Sequence, residues 1–125
     1  MSWTVCIRTD FAASHIIEGH QGKCARLHGH NWKVEVEAIA HALDHIGVGI
    51  DFSDLKAATN KVVNELDHYH LNDLPCFAGK SPTAEVVAQH LYHAIAAELA
   101  HFPHVTLTAI TLFENDRCSV KYVPT

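Results

Sequence analysis

The residues with the clearest chemical potential sit together in Cys24-Ala25-Arg26-Leu27-His28-Gly29-His30. Two histidines two places apart share one face of an extended chain, because side chains alternate across a strand. With Gly29 adding no bulk between them, the two imidazoles can chelate one ion. A third ligand must come from elsewhere, and His15, which follows the strand-like Phe11-Ala12-Ala13-Ser14, is the best candidate. Three neutral nitrogens favour zinc and leave a fourth position for water or substrate, as catalytic sites do. Cys24 has two readings: a base beside the metal, or a fourth, structural ligand that closes the site. A free thiol is mostly protonated at neutral pH, so the Cys24 base would rely on Lys23, Arg26 or the zinc to raise its thiolate fraction. Cys6 and Cys118 read as buried structural cysteines. Glu114 follows the apolar run Ile110-Thr111-Leu112-Phe113, where a carboxylate is costly unless it meets donors.

The elements that must position these groups follow from hydrophobic periodicity. Trp3, Val5, Ile7 and Phe11 alternate with polar residues, as do Trp32, Val34, Val36 and Ala38, and both patterns predict strands. Leu55, Ala58, Thr59, Val62, Val63 and Leu66 follow helical spacing, with Ser53 as the expected N-cap. A second helix is expected from Ser81-Pro82, with Ser81 as cap and Pro82 at the first helical position, burying Val87, Leu91, Ala94 and Ile95. Strands are expected again at 105–114 and 118–123. The order β-β-α-α-β-β predicts a single α+β domain over residues 1–125, with a four-stranded, mainly antiparallel sheet and helices on one face. Such a sheet has edges to cover, which favours pairing between subunits.

Composition narrows the function classes. A length of 125 residues fits one domain, and 48% apolar content can form a core without disulfide or metal staples. The net charge is −5 with basic residues scattered, which argues against nucleic acid or membrane as the main partner. No apolar run is long enough to span a bilayer, and the N-terminus has no secretory pattern. The four cysteines lack paired spacing. A cytoplasmic protein keeps such thiols reduced. Twelve histidines are the compositional oddity, supplying neutral donors, acceptors and metal ligands.

Taken in order, Phe11-Ala12-Ala13-Ser14-His15, Cys24-x-x-x-His28-Gly29-His30, Leu66-Asp67-His68, Pro82-Thr83-Ala84-Glu85 and Glu114 resemble the 6-pyruvoyltetrahydropterin synthase / 6-carboxytetrahydropterin synthase family. The resemblance runs from residue 11 to about 122. It implies the tunnelling fold, in which β-β-α-α-β-β subunits join their sheets into a barrel. It also implies a homohexamer with sites at subunit boundaries, and zinc on His15, His28 and His30. By the same resemblance Cys24 is the base, His68 its proton partner and Asp67 the carboxylate that orients His68. Glu114 would anchor the guanidine-like edge of the pterin through two adjacent acceptors and link to the Cys–His relay. Thr83 and Glu85 would contact the pterin too; read without the family, they are ordinary first-turn helix residues.

Three positions depart from the family pattern: Ser14 before His15, His70 where an aromatic is common, and Ser81 where Asn is frequent. His70 leaves open which histidine of Asp67-His68-Tyr69-His70 carries the proton. The implied substrate is 7,8-dihydroneopterin triphosphate, with Arg8, Lys23 and Arg26 as candidate phosphate contacts and no organic cofactor. Three residues between Cys24 and His28 resemble the 6-carboxy branch, whose products are 6-carboxy-5,6,7,8-tetrahydropterin, acetaldehyde and triphosphate on the route to 7-deazaguanine nucleosides such as queuosine. The alternatives are 6-pyruvoyltetrahydropterin synthase and a non-catalytic zinc-binding assembly protein of the same fold.

Overall fold

The computed structural model describes the backbone of residues 1–125 and every side chain except that of Cys24. Two long strands dominate it: β1 (Trp3–His15) and β2 (His28–Ala40). They pair antiparallel without a break, from Trp3 opposite Ala40 to His15 opposite His28. Alternation decides what each face meets. On β2, Trp32, Val34, Val36, Ala38 and Ala40 are fully buried, while Lys33, Glu35 and Glu37 face the other way. That second face carries ion pairs, Arg8 to Glu35 at 2.7 Å and Lys121 to Glu37 at 3.1 Å. On β1 the buried row begins at Ile7 and runs through Phe11 and Ala13. Trp3, at the start of the strand, is exposed.

Two helices cover the apolar face: α1 (Phe52–Val63) packs on β1, and α2 (Ala84–Glu98) on α1 and on the two last strands. These are β4 (Val105–Asn115), antiparallel to β2, and β5 (Cys118–Tyr122), antiparallel to β4. Both helices start at caps other than those expected. Asp51, not Ser53, caps α1, its carboxylate accepting from both the backbone N–H and the hydroxyl of Ser53. A charged acceptor two residues earlier satisfies the first turn better than a hydroxyl. Thr83, not Ser81, caps α2 by accepting from Val86 N–H, so Pro82 lies outside the helix. The buried stripe of α2 is Val87, Ala88, Leu91 and Ile95, with Ala94 only half-buried. Each such fully buried Val or Leu contributes about 1.5–3 kcal/mol.

The sheet has five strands and is mixed, not four-stranded and antiparallel. A two-residue strand, β3 (Tyr69–His70), pairs parallel with Ala13 and Ser14 at the outer edge of β1, giving the order β3-β1-β2-β4-β5. The rest of that edge and the outer edge of β5 have no strand partner among the described residues. Cys6 and Cys118 are exposed, not buried, because each falls on the polar side or open edge of its strand; with Cys76 they are free thiols. No described helix is long and apolar enough to cross a membrane.

Candidate metal centre and catalytic pair

The buried row of the β1–β2 ladder does not stop at its apolar residues. His30 and His28 continue the row of Trp32 and Val34, and His15 continues that of Phe11 and Ala13. The ladder sets His15 directly opposite His28, and His30 opposite Ala13. The ring centroids lie 4.4 Å apart for His15 and His28, 4.6 Å for His28 and His30, and 5.3 Å for His15 and His30. Trp32 walls the cluster, with its ring 5.1 Å from His15 and 5.3 Å from His30, and it stacks on Phe11 beneath. Gly29 is not what lets the imidazoles meet. A side chain there would point to the opposite face and touch only the Ala13 carbonyl oxygen at 3.9 Å.

Hydrogen bonds fix which nitrogen two of the three rings offer. His15 Nδ1–H donates to the Pro82 carbonyl at 2.8 Å, and His28 Nδ1–H donates to the Arg26 carbonyl at 2.6 Å. A carbonyl can only accept, so in the neutral ring Nε2 carries the lone pair in both residues. This is the outer support that metal-ligating histidines require. The Nε2 atoms of His15, His28 and His30 are buried; those of His15 and His28 have no hydrogen-bond partner, and that of His30 lies 2.7 Å from Glu114 Oε1. Burial pushes His30 below the usual histidine range, Glu114 opposing and the neighbouring His28 and His15 reinforcing the shift. His30 is thereby biased toward the neutral form that binds metal.

Glu114, at the end of β4, joins this cluster. Its Oε1 lies 2.7 Å from His30 Nε2, 3.4 Å from His15 Nε2 and 3.7 Å from His28 Nε2. The four ligating atoms all fall within 4.8 Å of one another, a group that could hold a metal ion. Three imidazole nitrogens and a carboxylate suit zinc. The sequence pattern points Glu114 to a pterin edge and does not place it among the histidines. The signal lies in the strand pairing: β2 and β4 run antiparallel with Lys33 opposite Phe113, which carries Glu114 toward the histidine end of β2.

Asp67 and His68 form a second arrangement, at the edge of β1. One Asp67 oxygen accepts from Ala12 N–H and from His68 Nδ1, both at 2.9 Å. The first of these bonds, helped by His68, holds the Asp67 carboxyl below the usual carboxylate range. His68 N–H donates back to the Ala12 carbonyl at 2.6 Å. His68 is the one described non-glycine residue with positive φ, at 65°. That conformation costs about 1–2 kcal/mol for an L-residue and is held where the surroundings over-determine it. Its side chain is exposed, and it makes no ion pair to the histidine cluster among the described residues. His68 and His30 line one cavity of about 430 Å³ with Ala12, Ser14, Gly29 and His70.

The two departures Ser14 and His70 touch each other, Ser14 Oγ lying 2.9 Å from His70 Nδ1. This contact occupies one ring nitrogen of His70, whereas His68 is the ring paired with a carboxylate. Of the remaining expected residues, Thr83 uses its hydroxyl as the α2 cap and Glu85 is exposed in the first turn. Arg8 pairs with Glu35, while Lys23 and Arg26 are exposed. The expected thiolate of Cys24 lies outside the described side chains.

The sequence and the fold also match known proteins. Residues 4–125 match the family model described as 6-pyruvoyl tetrahydropterin synthase. Relatives named 6-carboxy-5,6,7,8-tetrahydropterin synthase include one from Rickettsia bellii, 32% identical over 91% of this chain and 95% of the relative. Another, from Synechocystis sp., is 38% identical over 72% of this chain and 72% of the relative. The fold is similar to that of the Caenorhabditis elegans 6-pyruvoyl tetrahydropterin synthase, with a TM-score of 0.87 at 22% identity, covering 100% of this chain and 97% of that one. The chain belongs to the 6-pyruvoyl tetrahydropterin synthase family, among relatives named 6-carboxy-5,6,7,8-tetrahydropterin synthase.

Proposed function

We propose that this protein is a zinc-dependent lyase. It converts 7,8-dihydroneopterin triphosphate to 6-carboxy-5,6,7,8-tetrahydropterin, acetaldehyde and triphosphate, a step toward 7-deazaguanine nucleosides such as queuosine. The observation that carries the reading is the convergence of three buried imidazole nitrogens, from His15, His28 and His30, on one point. A zinc ion held there would supply Lewis acidity toward the hydroxyls of the substrate's carbon tail. Cys24 acts as the base that removes a carbon-bound proton from that tail, and His68 relays protons. Asp67 keeps the His68 ring in place and favours its charged form. Thr83 and Glu85 contact the pterin, as does Glu114. The strained backbone at His68 supports a catalytic role over a purely structural one, since a structural protein would gain by relaxing it.

The protein acts in the cytoplasm as a homohexamer whose sheets join into a barrel. The open outer edges of β1 and β5 support this, because each exposes unpaired backbone groups. His68 at the β1 edge, apart from the histidine cluster of its own subunit, supports sites composed across subunits.

The test is incubation of the zinc-loaded protein with 7,8-dihydroneopterin triphosphate, followed by acetaldehyde assay and mass analysis of the pterin. One acetaldehyde per triphosphate is expected, and His68→Ala should lower turnover by about 10²–10⁴-fold. Triphosphate release without acetaldehyde, with the three-carbon tail retained, would assign the 6-pyruvoyl reaction instead. No turnover at all would leave the non-catalytic zinc protein.

A further inference from the structure

We propose that Asn72 is a positioning residue whose side chain holds the candidate ligand His15 and the Asp67–His68 pair in one register. This rests on the pterin synthase reading above. Three features of the structure carry it.

The first is the bond pattern. Asn72 meets both backbone groups of a single residue, Ile16. The Ile16 N–H donates to Asn72 Oδ1, and Asn72 Nδ2 donates to the Ile16 carbonyl, each at 2.9 Å. An amide N–H can only donate and a carbonyl can only accept, so these partners fix which way the carboxamide faces. The second is register. Strand β3 pairs Tyr69 with Ala13 and His70 with Ser14. Two steps further the ladder would pair Asn72 with Ile16, but there the strand gives way to a short helical turn, Leu71–Asp73. The carboxamide, which has the donor and acceptor of a peptide unit, supplies the missing rung. Leu71, fully buried, anchors the turn from which it projects. The third is what the two ends of this clamp hold. At one end Asp67 accepts from Ala12 N–H, and His68 N–H donates to the Ala12 carbonyl. At the other end Asn72 grips Ile16, next to His15 and one place past the last β1–β2 pair. The left-handed backbone of His68 lies between the two anchors, and such conformations persist where neighbours over-determine them. His15 is buried with its Nδ1–H on the Pro82 carbonyl, a bond that a shifted backbone would break. Loss of Asn72 therefore disturbs a metal ligand and the acid–imidazole pair together, although both its bonds go to Ile16.

The test uses the zinc-loaded protein. Asn72→Leu keeps the bulk of the side chain and removes both bonds. Amide hydrogen exchange should show the Ile16 N–H opening roughly tenfold faster, with the Ala12 and His68 N–H groups speeding up beside it. Zinc affinity, measured by competition with a chromophoric chelator, should fall about 10–100-fold. At saturating zinc, kcat for 7,8-dihydroneopterin triphosphate should fall while KM changes little, because the lost bonds are internal to the protein. Leu91→Ala, a destabilised core variant, should keep wild-type zinc affinity. Wild-type zinc affinity in folded Asn72→Leu overturns the link to His15. Faster exchange at Ile16 alone, with Ala12 and His68 unchanged, overturns the link to the Asp67–His68 pair. A zinc loss as large in Leu91→Ala would reduce Asn72 to general stability and overturn the proposal. If the wild-type protein turns over no pterin while the exchange and affinity shifts appear, the synthase reading fails and the assignment of Asn72 stands. Should Asn72→Leu misfold by circular dichroism, Asn72→Ser, whose hydroxyl is too short to serve both Ile16 groups, decides the matter on the same measurements.

Discussion

On the inward face of β2, Trp32, Val34, Val36 and Ala38 are sealed from solvent against the helices, while His28 and His30 continue the same row and are only partly buried. Both stretches obey one geometric rule, the two-residue period of a strand. What differs is the partner across the ladder. Val36 faces Ile7 and Trp32 faces Phe11, so apolar meets apolar. His28 faces His15, so imidazole meets imidazole. The sheet thus aims a candidate metal centre with the same alternation that packs its core, and Trp32 is the residue both regions share.

That shared residue gives the largest expected effect. Trp32→Ala should destabilise the fold by about 3–5 kcal/mol and also weaken metal binding, since it removes both the core wall and the support of His15 and His30. Leu91→Ala, on α2, should cost about 2–5 kcal/mol while folded protein still binds one metal per subunit. Urea unfolding and metal analysis of the folded fraction check both. Equal metal retention in the two variants would break the claim that Trp32 joins the regions.

A smaller effect of opposite sign is expected at His68. Glycine relieves the left-handed backbone by about 1–2 kcal/mol and adds about 0.5–1 kcal/mol of unfolded-state entropy. His68→Gly should therefore be neutral to about 1 kcal/mol more stable, yet lose turnover as His68→Ala does. A clear fall in melting temperature would show that the ring, not the backbone, is what the fold needs there.

The smallest effect is a pH dependence at Asp67. Its carboxyl is held below the usual range, mainly by the Ala12 N–H. A depressed carboxyl contributes stability that is present above its unfolded pKa and lost as pH falls through its folded value. Asp67→Asn should be less stable than wild type near pH 7, and the gap should close in strong acid, at about pH 2. Urea midpoints at the two pH values check this; a gap that widens in acid would mean that the carboxylate is not the stabilising form.

Much of this was legible in the sequence because it is local. Period-two alternation placed β1 and β2, and the spacing of His28 and His30 put both on one face. The helices were legible from period, but their caps were not, because the choice between Asp51 and Ser53 depends on which acceptor wins. Strand β3 was invisible, since two residues carry no period. The pairing of Glu114 with the histidines was also hidden. It depends on the β2–β4 register, a contact between distant parts of the protein that no local pattern encodes. The family resemblance supplied roles for Cys24, Asp67 and His68, and the φ of His68 adds a physical reason to look there.

The order of the ligands in the sequence has a consequence for biosynthesis. His15, His28 and His30 leave the ribosome close together, on two strands joined by a short connection whose closure is entropically cheap. Glu114 emerges much later, on a strand that must close a far longer loop. A growing polypeptide therefore carries the three candidate imidazole ligands long before it carries the carboxylate that lies beside them. An ion captured at that stage would tie together a hairpin that is marginal by itself, making the metal a participant in folding as well as in the finished site.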